Sequence, residues 1–156
     1  MRIRLLAVGT RMPAWITAGF EDYAQRLPRE LKLELVEIAV EHRGKNADIA
    51  RLRDAEGEKL LRAAGREARL IVFDEHGDSL DTNGWAKALQ GWMQDGREVC
   101  LAVGGPDGHA SAVLAAASAR WSLSKLTFPH ALVRVLIAEQ LYRAHSLLSN
   151  HPYHRA

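Results

Sequence analysis

The chain has 156 residues, of which 47% are apolar and 26% charged, values that fit one globular domain with a real core and exclude a disordered chain. No apolar run approaches the roughly 20 residues of a membrane span, so no membrane association is expected. The net charge of +2 is uneven: from Arg120 onward five basic residues stand against the single acid Glu139, and four of the seven histidines fall there too. Such a bias suits either a phosphate-rich partner or a solvated basic face.

Ile3–Val8 is a short apolar run ended by Gly9 and reads as a first strand rather than as a secretory signal. From Pro13 to Leu27, Ile16, Phe20, Tyr23, Ala24 and Leu27 recur at helical spacing. Leu31–Val40 alternates apolar and charged residues, as a half-exposed strand does. Asn46 or Asp48 can cap a helix that runs toward Ala64 and stops at Gly65, with Gly57 weakening its middle. Ala68–Phe73 reads as a buried strand and Asp74–Asp78 as the loop after it.

Thr82–Gln94 forms the next helix, stopped near Gly96, and Val99–Val103 the next strand. Cys100 lies inside that strand, which marks a buried structural thiol; as the lone cysteine it excludes an internal disulfide and suits a reducing, cytoplasmic setting. A glycine loop follows, Gly104-Gly105-Pro106-Asp107-Gly108, then a short helix over Ser111–Ala119, a brief Trp121–Phe128 segment, and a helix over about Ala131–Leu148. Strands alternate with helices throughout, so residues 1–156 are expected to be a single α/β domain with a mainly parallel sheet covered on both faces. The last helix is apolar nearly all round. It is either sandwiched within the domain or covered by a second subunit, and a chain this small favours a homodimer.

Ligands of open α/β sheets bind beyond the carboxyl ends of the strands, which here carry Gly9-Thr10, Asp74–Asp78 and Gly104–Gly108. The chain contains neither G-x-G-x-x-G nor a P-loop, which disfavours a dinucleotide or nucleoside triphosphate site. The glycine loop admits a cofactor against bare backbone, or is a tight turn. No G-x-S-x-G elbow supports a serine nucleophile. His151 and His154 are spaced like metal ligands, yet Pro152 prevents a regular helix that would align them and no third ligand is near, so no metal is expected. The tail suits stacking and hydrogen bonding on RNA better; otherwise it is a loose terminus. The four tryptophans, Trp15, Trp85, Trp92 and Trp121, read as core residues.

Several blocks carry a resemblance: Leu101-Ala102-Val103-Gly104-Gly105-Pro106-Asp107-Gly108, the run Trp121–His130, Val133-Arg134-Val135-Leu136, Glu139-Gln140-Leu141-Tyr142-Arg143-Ala144 and the ending Asn150–Arg155. In order and spacing the chain closely resembles, along its whole length, the RlmH family of SPOUT-class ribosomal RNA large-subunit methyltransferases. The resemblance implies a carboxyl-terminal trefoil knot, spanning roughly residues 99–150, that shapes an S-adenosyl-L-methionine site. It also implies a homodimer that N3-methylates a pseudouridine in helix 69 of 23S rRNA on the assembled 70S ribosome. Carried over by position, Phe73, Gly104, Gly105, Leu123, Ser124, Lys125, Leu126, Thr127 and Phe128 are the expected cofactor residues. His109 departs mildly from the pattern, standing where an apolar residue is common.

The expected chemistry needs a base for the weakly acidic imide nitrogen or a cation that steadies its anion. Tyr153, His154 and Arg155 are the expected RNA contacts, with His154 as proton acceptor and Arg155, or instead Arg143, as the cation. Two other readings remain open on the sequence: a SPOUT enzyme acting on another RNA such as tRNA, and a non-catalytic RNA-binding ribosome factor.

Overall fold

Five strands form one parallel sheet in the computed structural model, which describes residues 1–155. In chain order they are β1 (Arg2–Val8), β2 (Lys32–Ile38), β3 (Arg69–Ser79), β4 (Val99–Val103) and β5 (Ala119–Ser122), lying side by side as β2-β1-β4-β3-β5. The helices are α1 (Ala14–Arg26), α2 (Ile49–Ala64), α3 (Thr82–Asp95), α4 (Ser111–Ala116) and α5 (His130–Leu148), followed by a single 3-10 turn at Pro152–His154.

Period-two alternation in the central strands sorts the core into two layers. Ile3, Leu5, Ala7, Ile71, Phe73, Val99, Leu101 and Val103 face α1, α3 and α5. Leu6, Val8, Leu70, Val72, Cys100 and Ala102 face α2 and α4. Because β1, β3 and β4 are covered on both sides, they carry the unbroken apolar runs Leu5–Val8, Leu70–Phe73 and Val99–Val103.

Capping follows simple chemistry. The Asp48 side chain accepts from the Arg51 amide and Asp81 from that of Gly84, while the helices they open close on Gly65 and Gly96. Gly57 has a second role: a Cβ there would stand 2.9 Å from the Cβ of Ala110, so its absence lets α2 lie close on α4.

Three expectations are corrected. The loop expected at Asp74–Asp78 is part of β3, which continues to Ser79 and shifts register against β5 between Phe73 and Asp78. Pairing with the β5 backbone overrides the loop-like composition there, and Gly77 permits it, since a Cβ would meet the Arg120 and Trp121 backbone at 2.7 Å. The expected Ser111–Ala119 helix ends at Ala116, and Ala119–Ser122 is β5. Finally, Trp15, expected in the core, is 63% exposed at the start of α1, where a helix end leaves it uncovered. The last helix, α5, packs between α1 and α3 over the sheet and buries part of its wide apolar face within the chain.

Candidate active site

The carboxyl ends of β3, β4 and β5 open into one cleft of about 760 Å³, within the range of small-molecule sites. Phe73 ends the inward-facing part of β3 and forms the floor, braced by Trp85 at 5.7 Å and Trp121 at 6.2 Å between ring centroids. Gly104 and Gly105 leave β4 and form one wall. Leu123–Phe128, after β5, forms the other, and His130 and Val133 at the start of α5 complete the lining. All nine residues expected at the cofactor site therefore surround a single cavity.

Each wall is held by local bonds. The glycine loop folds into a tight turn, the Gly108 amide donating to the Gly105 carbonyl at 3.1 Å with Gly108 in the left-handed region at φ 74°. At Gly104 a Cβ would stand 2.8 Å from the Gly108 backbone, so a side chain there would spread the turn. In the facing loop the Ser122 hydroxyl donates to the Ser124 carbonyl, and the Leu126 amide donates to Ser124 Oγ. These bonds turn the backbone and leave Leu126 70% exposed over the cleft.

Two features carry no motif. Arg43, after β2, forms a bidentate pair with the buried Glu56 of α2 and donates through Nε to Asp107 of the glycine loop at 2.9 Å. These bonds, with that from Glu56 first, raise the already high pKa of Arg43, so a permanent cation pins the glycine loop to α2. The second feature is His109, lining the cleft beside the Phe73 and Ala102 backbones. Burial lowers its pKa, and Nε2 is buried without a partner. The chemistry of both depends on groups distant in sequence, and only the histidine in an otherwise apolar position hinted at either.

The tail lies elsewhere. Asn150 adopts φ 57°, the His151 amide donates to the Ser146 carbonyl, and the chain folds back onto α5. Tyr153 packs on Tyr142, with centroids 4.6 Å apart, and the Arg143 guanidinium lies 4.9 Å from the Tyr153 ring centre. Arg143 is also paired with Glu139 at 2.7 Å, which raises its pKa. The Tyr153 hydroxyl is pushed up to about 12, by burial first and then by its hydrogen bond with Tyr23; it remains a phenol at neutral pH and is unsuited to be a base. His154 Nδ1 stands 3.4 Å from Ser146 Oγ, and Arg155 is exposed. The 19 residues of α5, about 28 Å of helix, separate the cleft at His130 from this tail. Within one chain the expected cofactor residues are thus brought together, and the expected catalytic and RNA-contacting ones are not among them.

The family described as "Predicted SPOUT methyltransferase" matches residues 1–154. A protein of Alkalilimnicola ehrlichii named "Ribosomal RNA large subunit methyltransferase H" is 56% identical over 156 residues, covering 100% of both chains. Among solved structures, a methylase family protein of Haemophilus influenzae Rd KW20 superposes with a TM-score of 0.59 at 11% identity, covering 99% of this chain and 70% of its own. One from Neisseria gonorrhoeae gives 0.55 at 11% identity, covering 96% and 93%. At such identities the structural matches speak to the fold alone.

Proposed function

This chain belongs to the SPOUT methyltransferase family, in its ribosomal RNA large subunit methyltransferase H branch, and from that premise we propose that it is an S-adenosylmethionine-dependent rRNA methyltransferase. Its target in this reading is N3 of a pseudouridine in helix 69 of 23S rRNA, on the assembled 70S ribosome. The observation that carries the proposal is the convergence of Phe73, Gly104, Gly105 and Leu123–Phe128 on one cleft at the carboxyl edge of the sheet. Membership of the SPOUT family supports trefoil threading of the carboxyl-terminal part.

The cleft fits the cofactor. It has an aromatic floor, a glycine wall that leaves main-chain groups bare, and an exposed Leu126 available to cover an apolar ligand face. Bound there, S-adenosylmethionine supplies a methyl group already activated on a sulfonium, so the protein's task is alignment and proton removal. Main-chain groups of Gly104, Leu123, Leu126 and Phe128 hold the donor. His154 takes the N3 proton, Arg155 steadies the anion or a neighbouring phosphate, and Tyr153 stacks on the RNA.

The separation of tail and cleft along α5 gives the homodimer a purpose. A tail of a second copy reaches the cleft of the first, so each active site draws on two chains.

The test is methyl transfer from labelled S-adenosylmethionine to ribosomes lacking the modification, with mass spectrometry of 23S rRNA fragments. Methylation of the helix 69 fragment is the expected result. An unmodified fragment, or calorimetry showing no cofactor binding, would overturn the proposal.

A further inference from the structure

Trp15 does not behave as the other three tryptophans do. Trp85, Trp92 and Trp121 are buried in the aromatic cluster beneath the cleft, whereas Trp15 is 63% exposed at the start of α1. Its exposed sequence neighbours are Thr10, Arg11, Pro13, Ala14, Thr17 and Ala18, none of them a large apolar side chain. No acidic residue occurs between Val8 and Phe20, and Arg11 has no ion pair among the described residues.

The turn bearing these side chains is firmly built. The Gly9 amide donates to the Ile38 carbonyl at 2.7 Å, and Arg134 Nη2 donates to the Gly9 carbonyl at 2.8 Å. Arg134 is itself buried and held by Glu37 at 2.7 Å. Two residues on, Arg11 takes φ 58°, a left-handed conformation uncommon for a side chain of its size.

The turn follows a strand that pairs with one forming the cleft. Ala7 of β1 pairs with Val103 of β4, one residue before the glycine loop, and a Cβ at Gly105 would stand 2.8 Å from Val8. On the other side Val133 lines the cleft and the next residue, Arg134, holds Gly9.

From these observations we infer that the β1–α1 turn is an RNA-docking surface at the mouth of the cleft, where Trp15 stacks on an unpaired base of the substrate and Arg11 meets the adjoining phosphates. A lone aromatic plane beside a free guanidinium matches the two chemical faces of a nucleotide. The inference rests on the RNA methyltransferase reading.

The test compares full-length wild type, Trp15→Ala, Trp15→Phe and Arg11→Ala in single-turnover methylation of unmodified ribosomes, with cofactor affinity and solution mass measured for each. For Trp15→Ala we expect the ribosome concentration at half-maximal rate to rise roughly 5- to 100-fold, the range for loss of one stacked base. Trp15→Phe should retain most of the wild-type value. Arg11→Ala should flatten the salt dependence of half-saturation, because one phosphate contact is lost. Cofactor affinity and solution mass should match wild type in all three. Wild-type half-saturation in Trp15→Ala overturns the inference, and so does a changed solution mass, which would put Trp15 between two copies of the chain. A wild type that methylates no ribosome overturns the parent reading and this one with it. An active wild type with an indifferent Trp15→Ala overturns this one alone.

Discussion

Arg43, outside any motif, holds one wall of the cleft. Arg43 neutralises the buried Glu56 and reaches Asp107, so Arg43→Ala leaves a carboxylate buried without its partner and frees the glycine loop. Breaking such a pair costs about 3 kcal/mol. The expected outcome is that loss in denaturant unfolding, together with roughly tenfold weaker cofactor binding by calorimetry, equivalent to about 1.4 kcal/mol. His109 makes a pH-dependent contribution. Burial holds its pKa below that of the unfolded chain, which is about 6.5. As pH falls through 6.5 the unfolded state takes up its proton first, so this stability is complete above that pH and is lost below it. His145, also lowered by burial, acts in the same sense. Denaturation midpoints at pH 7.5 and 5.5 should therefore differ less in His109→Met than in wild type, with a residual slope from His145. An unchanged difference would place the titration elsewhere.

At the scale of elements, two mid-helix glycines, Gly57 and Gly91, make a controlled comparison. Nothing stands within 4 Å of a Cβ at Gly91 in α3, so Gly91→Ala should gain up to about 1 kcal/mol from helix propensity alone. At Gly57 the same gain is offset by overpacking against Ala110 and Val113, which costs about 1–3 kcal/mol. Thermal unfolding should show Gly91→Ala more stable than wild type and Gly57→Ala no more stable. The composition of α2 made Gly57 look like a weak point in the helix. Packing makes it a contact, and no local pattern distinguishes the two cases. Loss of the expected loop after Phe73 has the same origin, because β5 pairs with the extended β3 from more than 40 residues away in sequence.

For the whole molecule, the distance between cleft and tail dominates. If active sites draw on two chains, deleting residues 151–156 should abolish methyl transfer while cofactor binding persists. Mixing that deletion with a full-length chain carrying Gly104→Val, whose added side chain would collide with the Gly108 backbone, should restore part of the activity. Neither variant alone should turn over. Failure of the mixture, in material shown by mass to contain mixed dimers, would return catalysis to a single chain.

Much of this protein is legible along the chain. Alternation in β1, β3 and β4 assigns residues to the two sheet faces, because successive side chains of a strand must point opposite ways. Periodicity and capping chemistry likewise place α1, α2 and α3, since both act within a turn or two of helix. The Gly104–Gly108 block was readable as either a cofactor wall or a tight turn, and Leu123–Phe128 was marked as the facing wall only by family resemblance. The tertiary structure alone decided which side chains meet across the chain: Arg43 with Asp107, Arg134 with Gly9, and a tail folded onto α5 away from the cleft. Local patterns encode bonds between near neighbours. Pairings across many residues depend on how the layers stack, and only the packed sheet and helices specify that.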